Sequence, residues 1–414
     1  MWPLLLTLIH LFLLVALGIA LLQLLCNLAT IPKLRSVRFQ TGSTPKVSVL
    51  IPARNEALNI SACVSSLLAQ DYPNFSVHVL DDHSSDETAQ LVRDLGLTEA
   101  NGGLISGAPL PAGWVGKNWA CHQLSQLQQS AQSEFLLFTD ADTIHQPNAL
   151  RALVEIAQQH GASLTSAWPE QITVSPVEKL VVSLLPFSGI LFYPHLLFSV
   201  LGKHPNWRKK VPEKLRRTLG AANGQVLLFT KAAYEAVGGH DALRSHLVED
   251  VALGRAVAAR MHEGLWLLNC DGAGLIRCRM YRSAAEVWEG FTKNVRAAFE
   301  SSHLGFWAAG IIQLALFLLP FGLFLGPKSH SLFPQAELLI ILLMRALTTL
   351  FLGGSWLSVA LHPLAYLIAL SIGLNSWRRS MGPGVVWKGR VYAVDHAGVG
   401  STSKRKETTE PKIF

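Results

Sequence analysis

Three acidic groupings have the types and spacing to do chemistry. They are Asp81-Asp82 within D-D-H-S-S-D-E-T, Asp140-Ala141-Asp142, and Glu249-Asp250. The first two close apolar runs that read as strands. The third opens a helical run, Val-Ala-Leu-Gly-Arg-Ala-Val. A D-x-D pair supplies one or two carboxylates to a divalent cation and leaves its remaining positions to phosphate oxygens. A nucleoside diphosphate leaving group carries the dense negative charge that such a cation neutralises. A further carboxylate across the reacting carbon can deprotonate an acceptor hydroxyl. One beside a base or ribose accepts from its N–H or O–H groups. Singly, Asp82 and Asp250 could equally cap helices. As an ordered set, the groupings point to sugar transfer from a nucleotide donor.

Such carboxylates need a scaffold that brings them to one edge. Residues 47–52, 76–80 and 135–138 read as short buried strands, and residues 57–70, 86–95 and 148–160 as helices. This alternation predicts an α/β domain with a mostly parallel sheet, in which ligands bind beyond the carboxyl ends of the strands.

The rest of the chain is more apolar than a soluble enzyme. Of 414 residues, 50% are hydrophobic and only 15% charged, against about 25% charged in typical soluble domains. Residues 3–31 carry no formal charge, lack the basic leader of a signal peptide, and are long enough to cross a bilayer. Residues 304–326 are a second candidate span. Residues 336–377 are a third region, broken by Gly353-Gly354 and Pro363. If all were full crossings, the basic tail would lie outside, so two crossings and one re-entrant or surface-lying element are expected after the soluble domain. The apolar run 180–202 contains Pro186 and Pro194 and separates the second acidic group from the third. It is therefore expected to lie in the membrane surface as short interfacial helices.

The net charge is +7. Basic residues cluster after the first apolar run, along 203–217, and in the tail after Trp377, each beside an apolar segment. That placement predicts a catalytic domain on the cytoplasmic face against anionic lipid, rather than a nucleic-acid partner. Five cysteines without a C-x-x-C suggest neither disulfides nor zinc. The expected division is a transmembrane helix over 1–31, a catalytic domain over 45–300 with an interfacial insertion at 180–217, a membrane region over 304–377, and a basic cytoplasmic tail over 378–414.

The ordered motifs resemble those of membrane-bound family 2 glycosyltransferases with the GT-A fold. These are V-S-V-L-I-P-A-R-N-E at 47–56, D-D-H-S at 81–84, G-W-V-G-K at 113–117, T-D-A-D at 139–142, and V-G-G-H-D with V-E-D-V-A-L-G across 237–254. The resemblance implies that Pro52, Arg54, Glu56 and Asp82 line the nucleotide site, and that Lys117 contacts the donor phosphates. Asp140 and Asp142 would serve a Mg²⁺- or Mn²⁺-bound diphosphate, with Asp142 the direct ligand. Asp250 would be the general base of an inverting displacement, with Glu249 beside it. P-A-G-W-V-G-K-N-W-A at 111–120, M-Y-R-S-A-A-E-V-W-E-G-F-T-K-N at 280–294 and W-K-G-R-V-Y at 387–392 are similar to bacterial enzymes that glycosylate isoprenoid lipids, among them cyanobacterial carotenoid 2′-O-glycosyltransferases. That similarity implies a membrane-embedded acceptor such as the 2′-hydroxyl of a myxol-type carotenoid, and places Arg282, Trp288 and Arg390 on the acceptor or product side. Hopanoid, glycerolipid and polyprenyl-phosphate acceptors are the alternatives. The Q-x-x-R-W of processive polysaccharide synthases is absent between Asp250 and Phe306, which favours one transfer per acceptor.

Overall fold

The computed structural model describes residues 2–39, 44–97, 102–300, 302–326, 332–382, 384–394 and 400–402. A long helix, α1 (Trp2–Thr30), leads into the domain. The domain then runs β1 (Val47–Ala53), α2 (Ile60–Leu68), β2 (Phe75–Asp81), α3 (Thr88–Asp94), β3 (Gly102–Ser106), α4 (Gly116–Ser125), β4 (Phe135–Thr139), β5 (Thr143–His145), α5 (Ala149–His160), β6 (Leu164–Trp168) and β7 (Glu170–Gln171). The insertion follows as α6 (Pro176–Val181), α7 (Leu184–Phe192) and α8 (His195–Lys203). The chain returns through β8 (Val226–Thr230), α9 (Glu249–Ala259), β9 (Leu267–Asp271), β10 (Ile276–Cys278) and α10 (Ala284–Ala297).

The main sheet has the order β3-β2-β1-β4-β8-β6-β9. Only β8 runs against its neighbours, β4 and β6; the other pairings are parallel. This is a mostly parallel, GT-A-like α/β fold. The strands are buried on both faces, which is why they read as continuous apolar runs such as Phe135–Thr139. The carboxyl ends of β2, β1 and β4 lie side by side, so Asp82, Arg54 and Asp140 leave the sheet as neighbours.

Within the insertion, the stretch Pro176–Phe192 (α6 and α7) meets α8 at a 47° bend. Helix α1 holds that bend. Asn27 Nδ2 donates to Ile190 O (2.6 Å) and Tyr193 O (2.9 Å), its Oδ1 accepts from Leu196 N (3.2 Å), and Gln23 Nε2 donates to Leu191 O (2.7 Å). These contacts satisfy backbone groups that a broken helix leaves open. The end of α1 is stitched to β9, where Asp271 N donates to Pro32 O at 2.8 Å.

After α10 come α11 (His303–Phe317), α12 (Leu319–Phe324) and α13 (Leu332–Leu352). Among the described residues, three helical stretches are long and apolar enough to cross a membrane: Leu4–Thr30, His303–Phe324 and Leu332–Leu352. Helix α14 (His362–Ser380) instead packs along α10, with Arg379 3.0 Å from Glu289. Beyond it, the stretch expected as a basic tail forms a hairpin, β11 (Val385–Trp387) and β12 (Arg390–Val394), joined by β13 (Gly400–Thr402). Residues 383, 395–399 and 403–414 of that tail lie outside the described residues.

Candidate active site

A cavity of about 840 Å³ opens beyond the carboxyl ends of β1, β2 and β4. It is lined by Pro52, Arg54, Glu56, Asp82, Lys117, Asp140, Asp142, Glu249, Asp250, Arg282 and Arg390, so all but one of the residues expected at the site meet here. The exception is Trp288, which packs into the apolar cluster shared by α1, α7, α13 and α14.

Two interlocked loops form the β1–β2 corner. Asn55 N donates to Ser84 Oγ (2.9 Å), Glu56 N to Thr88 Oγ1 (2.8 Å) and Ala57 N to Asp86 Oδ2 (3.1 Å). Asn55 and His83 both adopt left-handed backbone, at φ 52° and 54°, a conformation Asn and His enter more easily than branched residues. The C-terminal hairpin closes this corner. Arg390 pairs through two nitrogens with both oxygens of Asp82, at 2.5 and 2.9 Å, and Lys388 pairs with Glu56. Arg54 Nε donates to Lys388 O at 3.2 Å. A Cβ at 116 would fall on the Arg390 guanidinium and lie 3.1 Å from Asp82 Oδ2, so a larger residue there would have to displace the Arg390 side chain. Arg390 thus sits beside the expected nucleotide residues.

In the middle of the cavity, Lys117 bridges Asp140 Oδ1 (2.7 Å) and Glu249 Oε1 (2.8 Å). Burial alone would lower its pKa, but the two carboxylates outweigh burial and hold it well above the usual value. Burial would raise Glu249, yet the Lys117 cation holds it below the usual carboxylate range. Asp142 is pushed up to about 7, first by burial and then by the charges of Asp140 and Glu56. Its Oδ1 is buried without a hydrogen-bond partner.

Asp250 opens α9 and faces the loop before β8. Its Oδ2 accepts from Gly224 N (2.6 Å) and its Oδ1 from Val251 N (2.8 Å). Burial and then the adjacent Glu249 charge raise its pKa to about 6. A Cβ at Gly224 would stand 2.9 Å from Asp250 Oδ2, so the close approach requires glycine.

The sequence model of the family described as Glycosyl transferase family 2 matches residues 48–227. This chain carries a family 2 glycosyltransferase domain. The 4,4′-diaponeurosporenoate glycosyltransferase of Staphylococcus aureus strain MRSA252 is 28% identical over 365 residues, covering 84% of this chain and 88% of that protein. The same enzyme from strain USA300 is 28% identical over 367 residues, with equal coverage. Among solved structures, the mannosyltransferase PcManGT from Pyrobaculum calidifontis, in complex with GDP-Man and Mn²⁺, superposes with a TM-score of 0.48 at 17% identity, covering 90% of this chain and 99% of that one.

The glycosyltransferase cavity also contains residues that motif reading passes over. Lys388 lies within W-K-G-R, and Lys293 within F-T-K-N. Lys293 faces Glu249 and Asp250, and burial lowers its pKa. Gly224 belongs to A-N-G-Q, and Arg279 precedes the M-Y-R-S run. A search for charged residues near the quoted motifs would have found the two lysines. Nothing in the spacing of Gly224 or Arg279 marks either one.

Proposed function

We propose that the protein transfers one sugar, with inversion, from a nucleotide-sugar to a hydroxyl of a carotenoid-type lipid held in the membrane, at its cytoplasmic face. The observation that carries this reading is the shared cavity of Asp142 and Asp250, although the apolar insertion separates them in sequence. The printed substrate of the S. aureus relatives, diaponeurosporenoate, supports a carotenoid-type acceptor. The interfacial pair α7–α8 gives such an acceptor a route to the base without leaving lipid.

The donor set fits a divalent cation completed by substrate. Among the described residues, no group of three or more His, Cys, Asp or Glu is arranged to hold a metal. Asp140 and Asp142 are the carboxylates that the D-x-D spacing offers, and Asp142 Oδ1 is buried without a hydrogen-bond partner. That is the pattern of Mg²⁺ or Mn²⁺ held by one or two carboxylates plus phosphates. When bound, the cation neutralises the charge that develops on the leaving diphosphate.

The protein's own groups do the rest. Asp82 and Glu56 recognise the nucleoside, with Arg390 and Lys388 beside them. Gly224 N–H and Val251 N–H fix the Asp250 carboxylate while it takes the acceptor hydroxyl proton. The oxygen then forms its bond to the anomeric carbon as the carbon–diphosphate bond breaks on the opposite face. A carboxylate or phosphate acceptor is already ionised and would not need this base. The buried, base-like Asp250 is the reason to favour a hydroxyl, although the printed substrate of the relatives is itself a carboxylate.

Deleting the gene and profiling pigments and lipids tests the proposal. Loss of a glycosylated carotenoid with build-up of its free alcohol is expected. An unchanged carotenoid profile with altered hopanoids, glycerolipids or polyprenyl phosphates would overturn the acceptor. Long products in vitro would favour a polysaccharide synthase.

A further inference from the structure

The cations around the cavity are nearly all matched by close partners. Lys117 has Asp140 and Glu249, Lys388 has Glu56, Arg390 has Asp82, and Arg379 has Glu289. Arg282 Nη2 donates to Asn59 Oδ1 at 2.6 Å, although its buried Nε also has no partner. Arg279 stands apart. Its Nη2 lies 4.0 Å from Glu178 Oε2, too far for a hydrogen bond, and its buried Nε has no partner.

The position of Arg279 is fixed on three sides. Its backbone N–H donates to Asp142 O at 3.1 Å, which places it next to the D-x-D carboxylate. It follows β10, which pairs with β5 just after Asp142 and with β7 just before the insertion. Behind it stands Glu178 of α6, buried, with Oε2 accepting from Val174 N at 2.8 Å and Oε1 without a partner. A buried carboxylate beside a guanidinium that it does not fully engage can orient the fork and still leave donors for another anion. Those donors lie between the D-x-D carboxylate and the start of the interfacial helices.

We propose that Arg279 is an anion-binding residue of this site, holding a pair of anionic oxygens, with Glu178 as a positioning residue behind it. The oxygens belong either to the donor diphosphate or to an acidic headgroup of the acceptor. The inference rests on the glycosyl-transfer reading above and adds a residue that none of the motifs contains.

The test uses the full-length protein in nanodiscs and two binding arms. One arm titrates UDP and GDP with Mn²⁺. The other compares all-trans-retinoic acid with retinol, a polyene acid and its alcohol, against empty nanodiscs. Arg279→Gln is expected to weaken one arm by about tenfold or more, in line with the loss of charge-assisted hydrogen bonds: either the nucleoside diphosphates, or the acid but not the alcohol. Arg279→Lys should recover part of the loss, and Glu178→Gln should weaken the same arm by a smaller factor. A loss confined to the nucleotide arm assigns the diphosphate; one confined to retinoic acid assigns the acceptor. Unchanged affinities in both arms, or equal losses for acid and alcohol, would overturn the inference while wild-type nucleotide binding keeps the functional reading standing. Wild-type protein that binds neither nucleotide would remove both. If Arg279→Gln does not fold, Arg279→Lys decides: it keeps the charge but loses the fork, and full affinity in both arms would count against the proposal.

Discussion

Asp250 makes the sharpest demand on the surrounding residues. Raised to about 6, it is protonated at low pH and ready to accept a proton only above that value. Transfer to a hydroxyl acceptor should therefore rise about tenfold per pH unit below 6 and level off above it. A flat initial-rate profile between pH 5 and 8 would show that another group, or none, takes the proton. Asp250→Asn should cost about 10²- to 10⁴-fold in rate while UDP or GDP binding persists. Gly224→Ala should act on the same carboxylate, because its new methyl would stand 2.9 Å from Oδ2; lost turnover with unchanged nucleotide affinity is expected. Lys117→Met leaves Asp140 and Glu249 without their shared cation, so the midpoint of the pH profile should move upward. Asp82, Asp142 and Asp250 are legible in the sequence because each follows an apolar run or opens a helical one. Arg279 is not, since one cation in a loop has no spacing to betray it.

Strands β1, β2 and β4 are legible for the same reason that they are buried: their apolar runs end on a charged residue. The antiparallel β8 is not, because strand direction depends on the path of the insertion before it rather than on its own composition. The C-terminal hairpin is harder still. Its Lys388 and Arg390 look like part of a solvated basic tail, yet their partners, Glu56 and Asp82, lie more than 300 residues earlier. The pairing predicts a measurable protection. Trypsin should cut slowly after Lys388 and Arg390 in the native protein. Asp82→Asn should raise cleavage after Arg390 about tenfold, since a bidentate charge-assisted contact is lost and local opening becomes easier. Equal cleavage in both proteins would show that the hairpin is held by other contacts.

At the scale of the whole molecule, the constraint is that residues before and after each membrane segment meet in one cavity. Asp142 precedes α7–α8 and Asp250 follows them, so that bent pair cannot separate its ends by a bilayer. Arg390 follows α11–α12 and α13 and still reaches Asp82, so if those two stretches cross a membrane they do so as an out-and-back pair. With α1, three crossings would place the amino terminus opposite the catalytic domain. Polar contacts inside the helices support the arrangement. His10 Nδ1 and Glu337 Oε1 meet at 2.8 Å between α1 and α13, and Arg345 of α13 donates to Ser183 O, at the start of α7, at 3.3 Å. Polar groups in a bilayer tend to find such partners. The basic residues around 203–217 then fall on the catalytic side, where the positive-inside rule puts the cytoplasm. Cysteine labelling with a membrane-impermeant maleimide on intact cells can read this directly. Gly326→Cys, at the end of the outward crossing, should label from outside. Lys209→Cys and Met381→Cys should label only after permeabilisation. Labelling of Lys209→Cys in intact cells would place the catalytic domain on the outer face, where cytoplasmic nucleotide-sugars do not reach it.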